Sequence, residues 1–301
     1  MANKLNLVHV YFDMKLVLYL LVIFLSCNNN PVKSTLITKR ISDDPTDQHH
    51  AIINVNGTDI ISRFPSPPNF HRDTSQITSF QNYLIHLPLK KHGSLVHYYN
   101  GSEKSSQNIH AAVVDYPIGH KNLHQCADAI IKIYAEYFYK EKKYDQLNFR
   151  LTNGEYADYQ KWIAGYRPKL VNESFKYEQR YEPADTREIF ESYLEFVFIY
   201  AGTYSVSKQI KERENNQLQI GDIIVEGGFP GHAVLIIDKV TNNQGESLYL
   251  LGQSYMPAQE FHILKNGSYP ELSPWFKIDD LDLVPTPEWK FINPTIGFFP
   301  S

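Results

Sequence analysis

Gly221-Asp-Ile-Ile-Val-Glu-Gly-Gly-Phe-Pro-Gly-His-Ala-Val-Leu-Ile-Ile-Asp238 decides the fold class of this 301-residue chain. Two branched apolar runs, 220–226 and 232–240, are parted by a Gly-Gly-Phe-Pro-Gly turn. A third, 248–252, follows an Asn-Asn-Gln-Gly turn. Short β-branched runs punctuated by such turns predict an antiparallel meander. Upstream the period changes. Between 122 and 143, Ala127, Ile130, Ile131, Tyr134 and Phe138 recur at helical spacing. Helices first and strands after predict the α+β class.

Working outward, Tyr83-Leu-Ile-His-Leu alternates weakly, and Ser94-Leu-Val-His-Tyr-Tyr reads as a strand ending at the Asn100-Gly101 turn. Ala111-Ala-Val-Val-Asp-Tyr is a third apolar run, and Phe149-Arg-Leu-Thr a short strand stopped by Asn153-Gly154. The segment 154–202 reads as a helical insertion: helical stretches near 156–163 and 186–200 flank a charged loop containing Pro168 and Pro183. Residues 28–76, rich in Asn, Ser, Thr, Asp and Pro, read as a tether followed by irregular structure. One domain is expected over 77–301. Asn56-Gly-Thr58 and Asn266-Gly-Ser268 fit a glycosylation sequon but read as turns.

The first residues read as an export signal. After Met14-Lys15, an unbroken apolar run over 16–25 is about as long as a signal-peptide core and too short to span a bilayer. Ser26-Cys27 follows directly, the small-residue–cysteine junction at which lipoprotein signals are cleaved. Cys27 is thus the expected lipid attachment point. The chain is expected to be exported and held at the bacterial cell envelope, most simply on the periplasmic face, with the membrane as partner through that lipid. The chain has two cysteines, so a lipidated Cys27 leaves Cys126 as a lone thiol, either a buried hydrophobe or a reactive group. A net charge of −4 argues against a nucleic-acid partner. Aromatic residues make up 14% of the chain. They supply a substantial core, and Trp162, Trp275 and Trp289 could also line a groove.

Three residues carry the candidate chemistry. Cys126 lies in the first turns of the predicted helix, where the partial positive charge favours a thiolate. His232 follows Gly231 at a strand start, placed to reach a helix tip and shuttle a proton. Gln253 ends the next strand, where its amide could orient the imidazole. His124 and His262 are alternative bases, each also readable as packing; Asp128 reads as a cap or a solvent-facing group. No histidine pair has helical ligand spacing with a carboxylate, and no glycine-rich loop precedes a helix. Neither metal nor cofactor is expected.

Gln125-Cys126 opening a helix, then Gly221-Asp222, then Gly231-His232-Ala-Val, then a polar residue one strand later, resembles the papain-like cysteine amidases of bacterial cell walls. The similarity is to the CHAP and NlpC types. It implies a helix packed on a small antiparallel sheet, Cys126 as nucleophile, His232 as base, and cleavage of an amide in peptidoglycan peptides. The CHAP type usually has a carboxylate or Asn where Gln253 or Ser254 stands. A second resemblance covers nearly the whole chain. Gln125-Cys-Ala-Asp-Ala, Thr152-Asn-Gly, Tyr200-Ala-Gly-Thr, Pro230-Gly-His-Ala-Val, Gln253-Ser-Tyr-Met-Pro-Ala-Gln, Ser273-Pro-Trp and Thr286-Pro-Glu-Trp are similar to a domain-of-unknown-function family of bacterial lipoproteins. The resulting expectation is an envelope-anchored thiol amidase. The alternative is a non-catalytic lipoprotein that uses the same fold as a binding module.

Overall fold

The computed structural model describes residues 53–213 and 217–300. In chain order the elements are α1 (Ile60–Arg63), β1 (Phe70–His71), α2 (Ser79–Ile85), β2 (His110–Val113), α3 (Cys126–Lys140), β3 (Asn148–Arg150) and β4 (Tyr156–Asp158). Next come α4 (Tyr159–Ile163), β5 (Tyr166–Val171), β6 (Ser174–Gln179), α5 (Arg187–Tyr200), α6 (Thr203–Gln209), β7 (Lys211–Glu212) and β8 (Ile223–Glu226). The last are β9 (His232–Asn242), β10 (Ser247–Gln253), β11 (His262–Leu264), β12 (Leu283–Pro285), β13 (Lys290–Ile292) and β14 (Thr295–Phe298). The architecture is α+β. An antiparallel sheet of eight strands runs in the order β2-β11-β10-β9-β8-β14-β7, with β1 on the far end of β9.

The meander β8-β9-β10 is central, and both of its faces are buried. Ala233 and Leu235 face one core, shared with Ile130, Tyr134 and Phe138 of α3. Val234 and Ile236 face a second core with Val284 of β12 and Phe291 of β13. An apolar run without alternation is what two-sided burial requires. The β9–β10 register slips between Leu250 and Leu251, passing over Ile237, so Asp238 and His232 occupy opposite faces. α3 is buried almost all round, because α5 and α6 pack on it as well as β9 and β10.

Four segments differ from the sequence reading. Tyr83-Leu-Ile lies in α2, not a strand. Thr78 Oγ1 accepts from Gln81 N–H while Gln81 Oε1 accepts from Thr78 N–H, a capping box that overrides the weak alternation. Residues 94–99 form only isolated bridges, because the Gln107 side chain takes both the N–H and the C=O of Val96 in place of a neighbouring strand. The charged loop inside 154–202 is the β5–β6 hairpin, turned by Asn172 and Glu173, both at positive φ as a two-residue type I′ turn demands. Nor is that segment a mere insertion, since Phe190, Tyr193 and Val197 of α5 enter the main core. Finally, the part of 28–76 that is described packs on the domain: Ile60 and Phe64 are fully buried, and Asp59 caps α1. The two sequons are turns, as read. Asn266 Oδ1 accepts from Ser268 and Tyr269 N–H, and Gly57 N–H closes on Asn54 O.

Candidate active site

The site is assembled where β9 starts, β10 ends and α3 begins. Gln125 caps α3, and the Asp128 carboxylate accepts the Gln125 N–H at 3.1 Å. That box fixes Cys126 as the first helical residue. Its sulfur lies against the N–H groups of Ala127 and Ala233, so the thiol touches the peptide that follows His232. Gly231 brings the chain in tightly before β9. A Cβ there would stand 2.4 Å from Thr203 Oγ1 and 2.6 Å from Glu226 O.

His232 turns its ring to the face opposite α3, where Tyr255, Trp289 and Phe291 surround it with centroids at 4.8, 5.5 and 5.6 Å. Its Nε2 lies 2.8 Å from Gln253 Oε1. The structure thus brings His232 and Gln253 into direct contact, while no hydrogen bond joins Cys126 to His232. The two side chains approach the rim of the sheet from opposite faces. Cys126 is 5% exposed and His232 1%; Phe229 and Met256 stand exposed on the flanking loops.

Burial sets the electrostatics. It pushes the Cys126 thiol up to about 12, with the Asp128 charge adding to it and the N–H groups opposing. The thiolate expected at a helix N-terminus is therefore not the resting form: desolvation outweighs the partial charge of the helix end. His232 is lowered to about 4, mainly by burial; the Gln253 hydrogen bond raises it and the charge of Lys104 lowers it further. His124 and His262 are each lowered to about 3 by burial. Both are enclosed: His124 Nδ1–H donates to Gln259 O, and His262 Nδ1–H to Glu260 O. Asp128 is a buried cap, not a solvent-facing group. Trp162 and Trp275 are core; Trp289 is the tryptophan that reaches the site.

Sequence reasoning missed three contributors. Glu288 Oε2 accepts from Gln253 Nε2 at 2.7 Å, and Lys104 Nζ donates to Glu288 Oε1 at 2.7 Å. Tyr255 packs on His232, and burial with the neighbouring Glu288 and Cys126 pushes its phenol up. Tyr255 stands two residues past Gln253 and was within reach of inspection; Lys104 and Glu288 come from distant loops.

The family model described as Domain of unknown function (4846) matches residues 60–296. The chain belongs to that family. No curated protein and no solved structure matches it. The matched span takes in Cys126, His232, Gln253 and Glu288, along with α1 and the α4–α5 segment. Cys27 and the tether up to residue 52 lie outside the described residues. Among the described residues no helix is long and apolar enough to cross a membrane, and no group of three or more His, Cys, Asp or Glu could hold a metal. A cavity of about 890 Å³ opens beside the C-terminal half of α3, lined by Phe80, Tyr137 and Arg213 among others; neither Cys126 nor His232 lines it.

Proposed function

We propose that the protein is an envelope-anchored thiol amidase or peptidase of papain-like fold, held by a lipid on Cys27 and acting on peptidoglycan peptides. The observation that carries this reading is the direction of the His232–Gln253 hydrogen bond. Gln253 presents its carbonyl, so the ring must donate from Nε2, and Nδ1 is left as the basic nitrogen. The sulfur of a helix-start cysteine lies at the peptide joining His232 to Ala233, on the other face of the strand from that ring. On attack, Cys126 Sγ bonds to the amide carbon and its proton passes to Nδ1. The N–H groups at the start of α3 receive the oxyanion. Collapse breaks the C–N bond, and the proton moves from Nδ1 to the leaving amine. Water then hydrolyses the thioester.

The resting pair is neutral. Moving the proton from a thiol at about 12 to an imidazole at about 4 costs roughly 11 kcal/mol at 1.36 kcal/mol per unit. A turnover of about 10 per second allows a total barrier of roughly 16 kcal/mol. Substrate entry must therefore displace the Tyr255–Trp289 cover and bring Cys126 and His232 together. The same enclosure favours the second reading, a binding module that retains the fold without catalysis.

The test is incubation of the full-length protein with muropeptides, with mass spectrometric detection of a newly freed amine. Cleavage by the wild type and its loss by at least about 1,000-fold in Cys126→Ala and His232→Ala is expected. No product from any muropeptide, or undiminished cleavage by Cys126→Ala, would leave the binding module standing.

A further inference from the structure

The carboxylate absent from the position next to the histidine is present one hydrogen bond further out. We propose that Glu288, held by Lys104, is the positioning residue that fixes the proton of His232 on Nε2, acting through the Gln253 amide.

An amide can face an imidazole either way round, offering C=O or NH2, and the ring tautomer follows its choice. Here the choice is forced twice. A carboxylate only accepts, so the Gln253 NH2 must be the end that meets Glu288 Oε2 at 2.7 Å. The second proton of that NH2 points at His262 Nε2, 3.4 Å away. His262 donates its Nδ1–H to Glu260 O at 2.8 Å, so its Nε2 is bare and accepts. Both amide protons are thus committed on the far side, and Gln253 Oε1 is left for His232. Every buried member from Lys104 to His232 is satisfied, and only one arrangement of protons satisfies them all. Within the series from Lys104 through Glu288 and Gln253 to His232, the Nε2 of His232 is taken by Gln253 and its Nδ1 is the ring nitrogen left for a ligand.

Lys104 completes the device. Its side chain is 4% exposed and its ammonium sits 5.5 Å from the Tyr255 ring centroid, with Glu288 Oε1 as its ion-pair partner. That ion pair holds the carboxylate against the buried amide of Gln253. Neutralising it as glutamine would give Gln253 a neighbour that both donates and accepts, and the amide could turn over.

Catalytic benefit from this arrangement rests on the hydrolase reading; the positioning itself does not, and it can be read without substrate. The experiment is 15N NMR of the histidine side chains in the labelled full-length protein, wild type against Glu288→Gln, with circular dichroism as the fold control. The expected result is a single Nε2–H tautomer for His232 in the wild type, assigned by the loss of its signals in His232→Asn. In Glu288→Gln a mixture, or the Nδ1–H form, is expected. Should Glu288→Gln fail to fold, the wild-type spectrum still decides, because an Nδ1–H wild type overturns the proposal outright. A folded Glu288→Gln protein that keeps the wild-type Nε2–H signature also overturns it. If muropeptide cleavage is found, Glu288→Gln should lower turnover by roughly 10- to 100-fold with little change in KM. A Glu288-dependent tautomer in a protein that cleaves nothing would sink the hydrolase and keep the positioning.

Discussion

At the start of β9, His232 closes a chain of polar groups that begins at Lys104. Six residues on, and on the other face, Asp238 meets a guanidinium, with Arg72 Nε at 2.8 Å. Both side chains are almost wholly buried. The aspartate is saturated: Arg72 takes one oxygen and the Lys239 N–H the other, and nothing is left to act on a ligand. The histidine network is saturated everywhere except at its end, where one ring nitrogen stays open. Burial of a charge is thus no mark of function. A network ordered throughout and unsatisfied at a single atom is a better one, because order costs stability and an open basic atom gains none.

The largest effect should come from the simple pair. Asp238→Ala leaves the Arg72 guanidinium, 12% exposed, without its anion. A loss of about 3–5 kcal/mol in urea denaturation is expected, from the uncompensated charge. The His232 tautomer should not change. A loss below about 1 kcal/mol would mean that Arg72 swings to solvent freely and that the far end of β9 is not a staple.

The two ends should also respond to acid with opposite sign. Burial holds His232 at about 4 against 6.5 for the free side chain. Below 6.5 the unfolded chain takes up a proton that the folded one refuses. This contribution is therefore complete above pH 6.5 and is lost as pH falls toward 4, roughly 3 kcal/mol in all. Asp238 is raised from 3.8 to about 6, chiefly by burial. The folded chain keeps that proton longer, so its contribution is present below 3.8 and lost as pH rises toward 6, again roughly 3 kcal/mol. The slopes oppose each other. Asp238→Asn should steepen the acid loss of stability between about pH 4 and 6.5, and His232→Asn should flatten it. Identical pH profiles for the two variants would show that the ends do not differ in this way.

The legible part of the molecule was the part built on local rules. The β8–β10 meander followed from branched runs and glycine turns, and α3 from its period. The Thr78/Gln81 capping box is equally local, and it overrides the weak alternation that follows it. The β5–β6 hairpin was hidden because its turn is Asn172-Glu173, without the glycine that advertises a type I′ turn. Cys126, His232 and Gln253 could be named from helix start and strand ends. Their protonation could not, because desolvation depends on what covers them. Glu288 and Lys104 had no signature at all. They reach Gln253 from the β12–β13 turn and from the loop before β2, and only tertiary packing sets that meeting.

The smallest effect tests how firmly that meeting is held. Thr286 Oγ1 donates to Trp289 O at 2.8 Å and accepts from Trp289 N–H at 3.2 Å, closing the turn that carries Glu288. Thr286→Val removes both bonds but leaves the β12–β13 ladder from Leu283↔Ile292 to Pro285↔Lys290 in place. A loss of about 1 kcal/mol is expected, with the Nε2–H signature of His232 retained. The reason is that Glu288 is held from both sides, by Lys104 and by Gln253, so loosening its backbone should not free its carboxylate. Were the signature to scatter in Thr286→Val while denaturation stayed close to wild type, the turn rather than the ion pair would be setting the proton. The contrast with Asp238 would then narrow to a difference in backbone support.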